Sequence, residues 1–160
     1  MDTLKQLLHH FVKDMYYAEK RVVKEHKEMA NKADSDELRQ LLMSHSEETA
    51  KDVERLEKVF ELLGARPSGT TCEAIDGIIE ENHEILSASD TEDVRDVGIA
   101  ASAQAIEHYE ITRYGTLIAW AKRLNMDEAV SLLQETIDEH KTADHKLTEL
   151  AESSLNRQAA

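Results

Sequence analysis

Leu4, Leu8, Phe11, Met15, Ala18, Val22 and Met29 recur three and four residues apart, the spacing that lines one face of an α-helix. The pattern predicts a long amphipathic helix over about residues 2–33. Lys32-Ala33-Asp34-Ser35-Asp36-Glu37 breaks it and supplies a Ser or Asp cap followed by acids, so a second helix is expected over 36–63. Its stripe of Leu38, Leu41, Leu42, Val53, Leu56, Val59, Phe60 and Leu63 runs into Gly64, and Pro67 and Gly69 reinforce the stop. Ile75, Ile78, Ile79, Ile85 and Leu86 mark a shorter helix over 72–87, closed by the cap-rich run Ser87-Ala88-Ser89-Asp90-Thr91. A helix over 92–124 carries Ile99, Ala103, Ile106, Tyr114, Leu117, Ala121 and Leu124. After a short turn at Asn125-Met126-Asp127, a last helix over 127–153 carries Val130, Leu133, Ile137, Leu147 and Ala151, and the tail beyond Leu155 is expected to fray.

Two long hairpins joined by one long connection that holds a short extra helix define an all-α chain. They match the one-crossover, ferritin-like four-helix bundle, and the 160 residues are expected to form a single domain, 1–160. One proline and five glycines leave little turn chemistry for a sheet. With 33 acidic against 19 basic residues, the formal charge of −14 repels phosphate backbones and anionic lipid, so neither nucleic acid nor a membrane is expected as a partner. The start MDTLKQLLHHFVKD lacks the features of a secretory signal. The single cysteine, Cys72, excludes an internal disulfide and a four-cysteine iron module. A cytoplasmic location is the expectation.

A bundle interior should be apolar, so polar residues within the apolar stripes are the informative ones: an unpaired buried carboxylate costs several kcal/mol or must be neutralised. Glu19 falls beside Ala18 on the first helix, and His45, Glu48 and Asp52 occupy successive turns between Leu42 and Leu56 on the second. Glu107 and Glu110 lie between Ala103 and Tyr114, three residues apart and therefore stacked. His140 and Asp144 fall between Ile137 and Leu147. Taken singly, each has a plain structural explanation: a snorkelling glutamate, a hydrogen-bonded core histidine, an interior ion pair. Their common height argues otherwise. Glu19 and Glu48 lie about fifteen residues, ~22 Å, from the first turn, and Glu110 and His140 as far from the second, which is the middle of each helix. Carboxylates and imidazoles without thiolates, brought to one level, suit two adjacent first-row divalent ions, Fe or alternatively Mn. The candidate metal ligands are Glu19, His45, Glu48, Glu107, Glu110, His140 and Asp144. Tyr109 and Tyr114 read as packed aromatics with satisfied hydroxyls. His9, His10, His26, His83, His108 and His145 read as surface or hydrogen-bonded histidines, with His108 able to support a neighbouring ligand.

The blocks KDMYYAEK, SHSEET with ERLEKVFELLG, AIEHYEITRYGTLIAWA and DEHKTADHKLTELA resemble the bacterial YciE/YciF stress-protein family of ferritin-like proteins over nearly the whole chain. Glu107-x-x-Glu110 with Tyr109 is also similar to a rubrerythrin helix. The resemblance implies a four-helix bundle, a homodimer, a di-iron site and an association with stress, without a defined reaction. Two departures stand out. Related ferritin-like proteins carry Glu-x-x-His where this chain has the reversed His45-x-x-Glu48 and His140-x-x-x-Asp144, and the family usually has glutamate at the position of His140.

Three functions compete at this level. A di-metal oxidoreductase would act on peroxide or dioxygen, drawing on an external electron donor if it is a reductase. A non-enzymatic stress bundle would hold its polar seam together with metal or with salt bridges, Arg113 being a candidate internal counter-ion to Glu110. Iron storage would require a many-subunit shell, for which the sequence offers no signal.

Overall fold

Helices form where the apolar period and a capping residue coincide. In the computed structural model, which describes residues 1–160, α1 spans Leu4–Lys32, α2 Asp36–Leu63, α3 Glu73–Ala88, α4 Glu92–Arg123 and α5 Asp127–Leu150, with no strands. The side chains of Thr3, Ser35 and Thr91 accept from the backbone N–H groups of Gln6, Leu38 and Val94, satisfying donors that the first turns of α1, α2 and α4 leave free. Gly64, at φ 75°, ends α2 in the left-handed region that costs glycine nothing. Asn125, at φ 55°, takes the same conformation in the short turn between α4 and α5.

The chain does not fray after Leu155 as expected. A π-helical stretch, Ala151–Leu155, continues α5, and a last α-turn follows at Asn156–Gln158. Leu155 is 1% exposed, so its side chain belongs to the core and holds the tail down.

The α1–α2 hairpin packs against the α4–α5 hairpin, α1 beside α4 and α2 beside α5, while α3 lies across α4 and α1. Asp96 on α4 fixes the first turn from outside: its carboxylate accepts from the backbone N–H groups of Asp34 and Ser35 at 2.9 and 2.7 Å. The crossover helix sits close to α4, since a Cβ on Gly98 would fall 2.7 Å from Ile85 Cγ2. One contiguous apolar core, including Leu8, Met15, Leu42, Phe60, Ile106, Leu117 and Leu133, runs through the bundle. Its middle is polar.

Candidate metal centre

All four long helices turn charged or imidazole side chains into that middle layer. Glu19, His26, Asp52, Glu107, Glu110 and His140 are 0% exposed and His45 is 3% exposed. Side chains of these kinds are rarely fully buried unless partnered. Eleven buried side-chain polar atoms lack a hydrogen-bond partner, and all but His9 Nε2 and Asn82 Oδ1 belong to these seven residues.

Two triads converge. His26, His45 and Glu107 can each offer a ligand atom with all three atoms within 4.8 Å of one another, and so can Glu19, Glu110 and His140. Glu107 links them: Oε1 lies 2.9 Å from His45 Nε2 and 3.6 Å from His26 Nε2, while Oε2 lies 2.8 Å from His140 Nδ1. His140 Nδ1 is also 3.2 Å from Glu110 Oε2, and its Nε2 is 3.5 Å from Asp52 Oδ2 and 3.7 Å from Glu19 Oε1.

Neighbouring groups hold these side chains in place. The Tyr114 hydroxyl donates to Glu19 Oε1 at 2.5 Å, and its ring stacks on His140 with centroids 5.6 Å apart. Thr136 Oγ1 and Arg55 Nη1 both donate to Asp52 Oδ1, at 2.8 and 2.5 Å, which leaves Oδ2 to the cluster. His45 Nδ1 meets Glu48 Oε2 at 3.0 Å, turning Nε2 inward. Such outer partners fix ring orientation and ligand basicity in metal sites.

The electrostatics follow from crowding of charge in a dry layer. Burial, reinforced by Glu19, raises Asp52 to about 7 and lifts Glu110 well above the usual carboxylate range. Burial opposes charge on Glu107 as well, but His45 and His140 prevail and hold it low. Burial would depress His45, yet Glu107 and Glu48 raise it to about 9; His140 is likewise driven up, by Glu110 foremost. His26, which makes no hydrogen bond, is pushed down to about 3 by burial and then by His45. Protons therefore neutralise the layer when nothing else does.

Of the seven residues selected from sequence, the structure brings Glu19, His45, Glu107, Glu110 and His140 together. Glu48 lies at the rim with its side chain 37% exposed. Asp144, 23% exposed, turns away from the cluster to Gln104 Nε2 and His108 Nε2, each at 3.1 Å. Asp52 and His26 join the cluster instead. Arg113 does not serve as an internal counter-ion; its guanidinium lies over the rings of Phe11 and Tyr109, 4.8 and 5.3 Å from their centroids. A signal for the two missed residues existed. His26 is seven residues after Glu19 and Asp52 seven after His45, and seven steps of about 100° return a side chain to within ~20° of the same face.

The donor set fits a pair of divalent ions. Carboxylate oxygens and imidazole nitrogens suit first-row metals, and nine of the eleven unpartnered atoms belong to the two triads and to Asp52 beside them. Glu19, Glu110 and His140 would hold one ion, His26 and His45 the other, with Glu107 between.

Residues 3–160 match the family described as "Domain of unknown function (DUF892)". The chain belongs to this family. It is 36% identical to protein YciF of Escherichia coli K12 over 160 residues, covering 99% of this chain and 96% of that protein. The crystal structure of the E. coli stress protein YciF superposes with a TM-score of 0.92, covering 98% of this chain and 99% of that one. YcfI of Rhodopseudomonas palustris, a proposed structural protein, shares 47% identity at a TM-score of 0.90 over 92% of this chain and 94% of its own. A protein of Xanthomonas campestris at 20% identity and a TM-score of 0.76 covers 99% of this chain and 100% of its own, and shows the same fold. The helical bundle is thus common to all of these chains. No helix of this one is long and apolar enough to cross a membrane.

Proposed function

We propose that this protein is a stress-response bundle whose middle layer binds two iron or manganese ions and reacts with peroxide or dioxygen. The observation that carries the reading is that nine of the eleven buried polar atoms without a well-formed hydrogen bond fall on seven carboxylates and imidazoles of the middle layer. A native interior rarely leaves such atoms without partners, and a cation of charge +2 for each triad would satisfy them. Bound there, the two ions would supply the electrons for reducing or dismuting a small oxidant.

The protein's own groups have definable parts. Glu107 and His140 tie the triads together, Tyr114 keeps its proton on Oη against Glu19, and the apolar shell excludes bulk water. Burial together with Glu19 raises Tyr114 well above its ordinary range, so the phenol stays neutral. A reductase of this kind takes electrons from a separate donor protein, because one cysteine cannot build a four-cysteine iron module; a dismutase needs no donor. The reading includes a homodimer, as the family resemblance implies, and a cytoplasmic location, as the single cysteine suggests.

The test is metal content. Wild-type protein reconstituted with Fe(II) or Mn(II) and desalted is expected to retain about two ions per chain, the number of triads. His26→Ala combined with Glu110→Gln is expected to retain fewer than half as many. A folded wild type that retains no metal would sink the proposal, leaving the buried ion pairs as purely structural.

A further inference from the structure

A cavity of about 470 Å³ opens between α2 and the end of α5, and one of its lining residues is His45 of the buried layer. None of the other six residues of the layer lines this cavity. His45 is 3% exposed, its Nε2 lies 2.9 Å from Glu107, and its Nδ1 faces Glu48 on the cavity wall at 3.0 Å. The imidazole is therefore a single ring between the cavity and the cluster.

The wall has a sign. Glu37, Glu48 and Glu149 line the cavity against one ammonium, Lys146. A concave surface with excess carboxylate concentrates cations, and the net charge of −14 adds a long-range field of the same sign. Leu150 and Ser153 complete the α5 side, where the helix passes into its π-helical stretch. Departures of this kind from α-helical pitch are frequent at functional sites.

We infer that this cavity is the portal through which divalent cations reach the buried cluster, with the Glu37, Glu48 and Glu149 carboxylates collecting the ion and the His45 ring passing it inward. The inference rests on the metal-binding reading above. It adds a route and three carboxylates, those of Glu37, Glu48 and Glu149, that act on the rate of loading without belonging to the final ligand set. Glu48 is then a positioning residue. It holds the His45 ring, and a carboxylate half in solvent can exchange that contact for an arriving ion.

Cobalt(II), followed by its visible absorption on mixing with metal-free protein, reads the rate and the end point separately. In Glu37→Gln/Glu149→Gln, loading at low salt is expected to slow by ~3–10-fold, the scale of local electrostatic steering, with the wild-type amount of cobalt at completion. Ser44→Trp, which fills the cavity from an exposed position on α2, is expected to slow loading further at every salt concentration. Glu80→Gln/Glu81→Gln, the same charge change on exposed positions of α3, should leave the rate unchanged. Thermal melts confirm that each variant is folded. Wild-type rates in both cavity variants, or equal slowing by the α3 control, would overturn the portal while leaving the metal site standing. A wild type that takes up no cobalt would overturn both.

Discussion

Two polar knots meet at Asp52, one between α2 and α5 and one at the centre of the four long helices, and they differ in whether they are complete. In the first, Arg55 donates to Asp52 Oδ1 at 2.5 Å and grips Glu139 with both terminal nitrogens at 2.7 and 2.9 Å, while Thr136 adds a fourth donor bond. Both carboxylates there bond the one guanidinium, Glu139 in the bidentate geometry that guanidinium and carboxylate share. In the second, the central layer, four carboxylates and three imidazoles crowd together without Lys or Arg and with atoms unpaired. Asp52 belongs to both, one oxygen in each. The contrast separates what the fold completes for itself from what it leaves open: the Arg55 knot is finished by the chain, and under the proposed function the central layer would be finished by metal.

The largest effect that would sharpen this contrast is ligation itself. At free metal a thousandfold above Kd, binding to the folded state alone contributes about 4 kcal/mol, an expected rise in Tm of about 10 °C for a chain of this size. Chelator should reverse it. Calorimetry with and without Mn(II) checks the shift, and an unchanged Tm would place the central layer in the same class as the Arg55 knot.

Arg55→Ala should reveal the opposite character in the finished knot. It leaves Asp52 and Glu139 without their cation and is expected to cost about 3 kcal/mol in urea denaturation whether or not metal is present. A loss below about 1 kcal/mol would show that the knot behaves as an exposed pair.

Proton linkage in the metal-free protein comes next. His45, raised to about 9, binds its proton more tightly folded than unfolded, so its contribution is full below pH 6.5 and is lost as the pH rises through about 9. Asp52, raised to about 7, favours the fold as the neutral acid; its contribution is full below about 3.8 and lost as the pH rises through about 7. His26 works the other way: it stabilises as the neutral ring above 6.5 and loses this as the pH falls toward about 3. Between pH 6.5 and 9 His26 does not oppose these, the raised His140 and Glu110 act in the same direction as His45 and Asp52, and metal-free stability is expected to fall there by on the order of 2–3 kcal/mol. Metal should flatten the slope, because the ions take the place of the protons. Denaturant melts at pH 6.5, 7.5 and 9 with and without metal test the sign; stability that rises over this window would contradict it.

Glu110→Gln should have the smallest effect on stability and the clearest meaning. Removing a fully buried acid that has no hydrogen bond is expected to leave metal-free stability unchanged or raise it by about 1 kcal/mol, while metal retention falls. A loss comparable to that of Arg55→Ala would mean that Glu110 is part of the scaffold.

The legible part of the site was its level. Glu19, His45, Glu107, Glu110 and His140 interrupt apolar stripes near mid-helix, and the structure gathers all five. What misled the reading was local spacing. His45-x-x-Glu48 and His140-x-x-x-Asp144 look like pairs on one helix face, but steps of three and four residues shift direction by about −60° and +40°. On α2 and α5 this is the difference between interior and rim, whereas on α4 the same step of three keeps both Glu107 and Glu110 inside. Glu48 and Asp144 accordingly remain partly in solvent, whereas the seven-residue partners His26 and Asp52 face inward. Glu25, the acid beside His26, turns instead to Asn82 and His83 on α3, so only Glu19, two turns earlier, marked the face of His26.

The helices, their order and the two tight hairpins follow from the sequence alone, because they depend on local causes: the apolar period, the hydroxyl caps at Thr3, Ser35 and Thr91, and the left-handed turn at Gly64. Each of these acts within a few residues of where it is read. Which acids lie inside, and which of them are left without a partner, depended on how each helix is rotated about its axis, and that rotation is set by packing against helices far away in sequence. Only the tertiary structure decided that Asp52 rather than Glu48 faces His140, that Arg113 goes to Phe11 and Tyr109, and that His45 separates an acidic cavity from the buried layer.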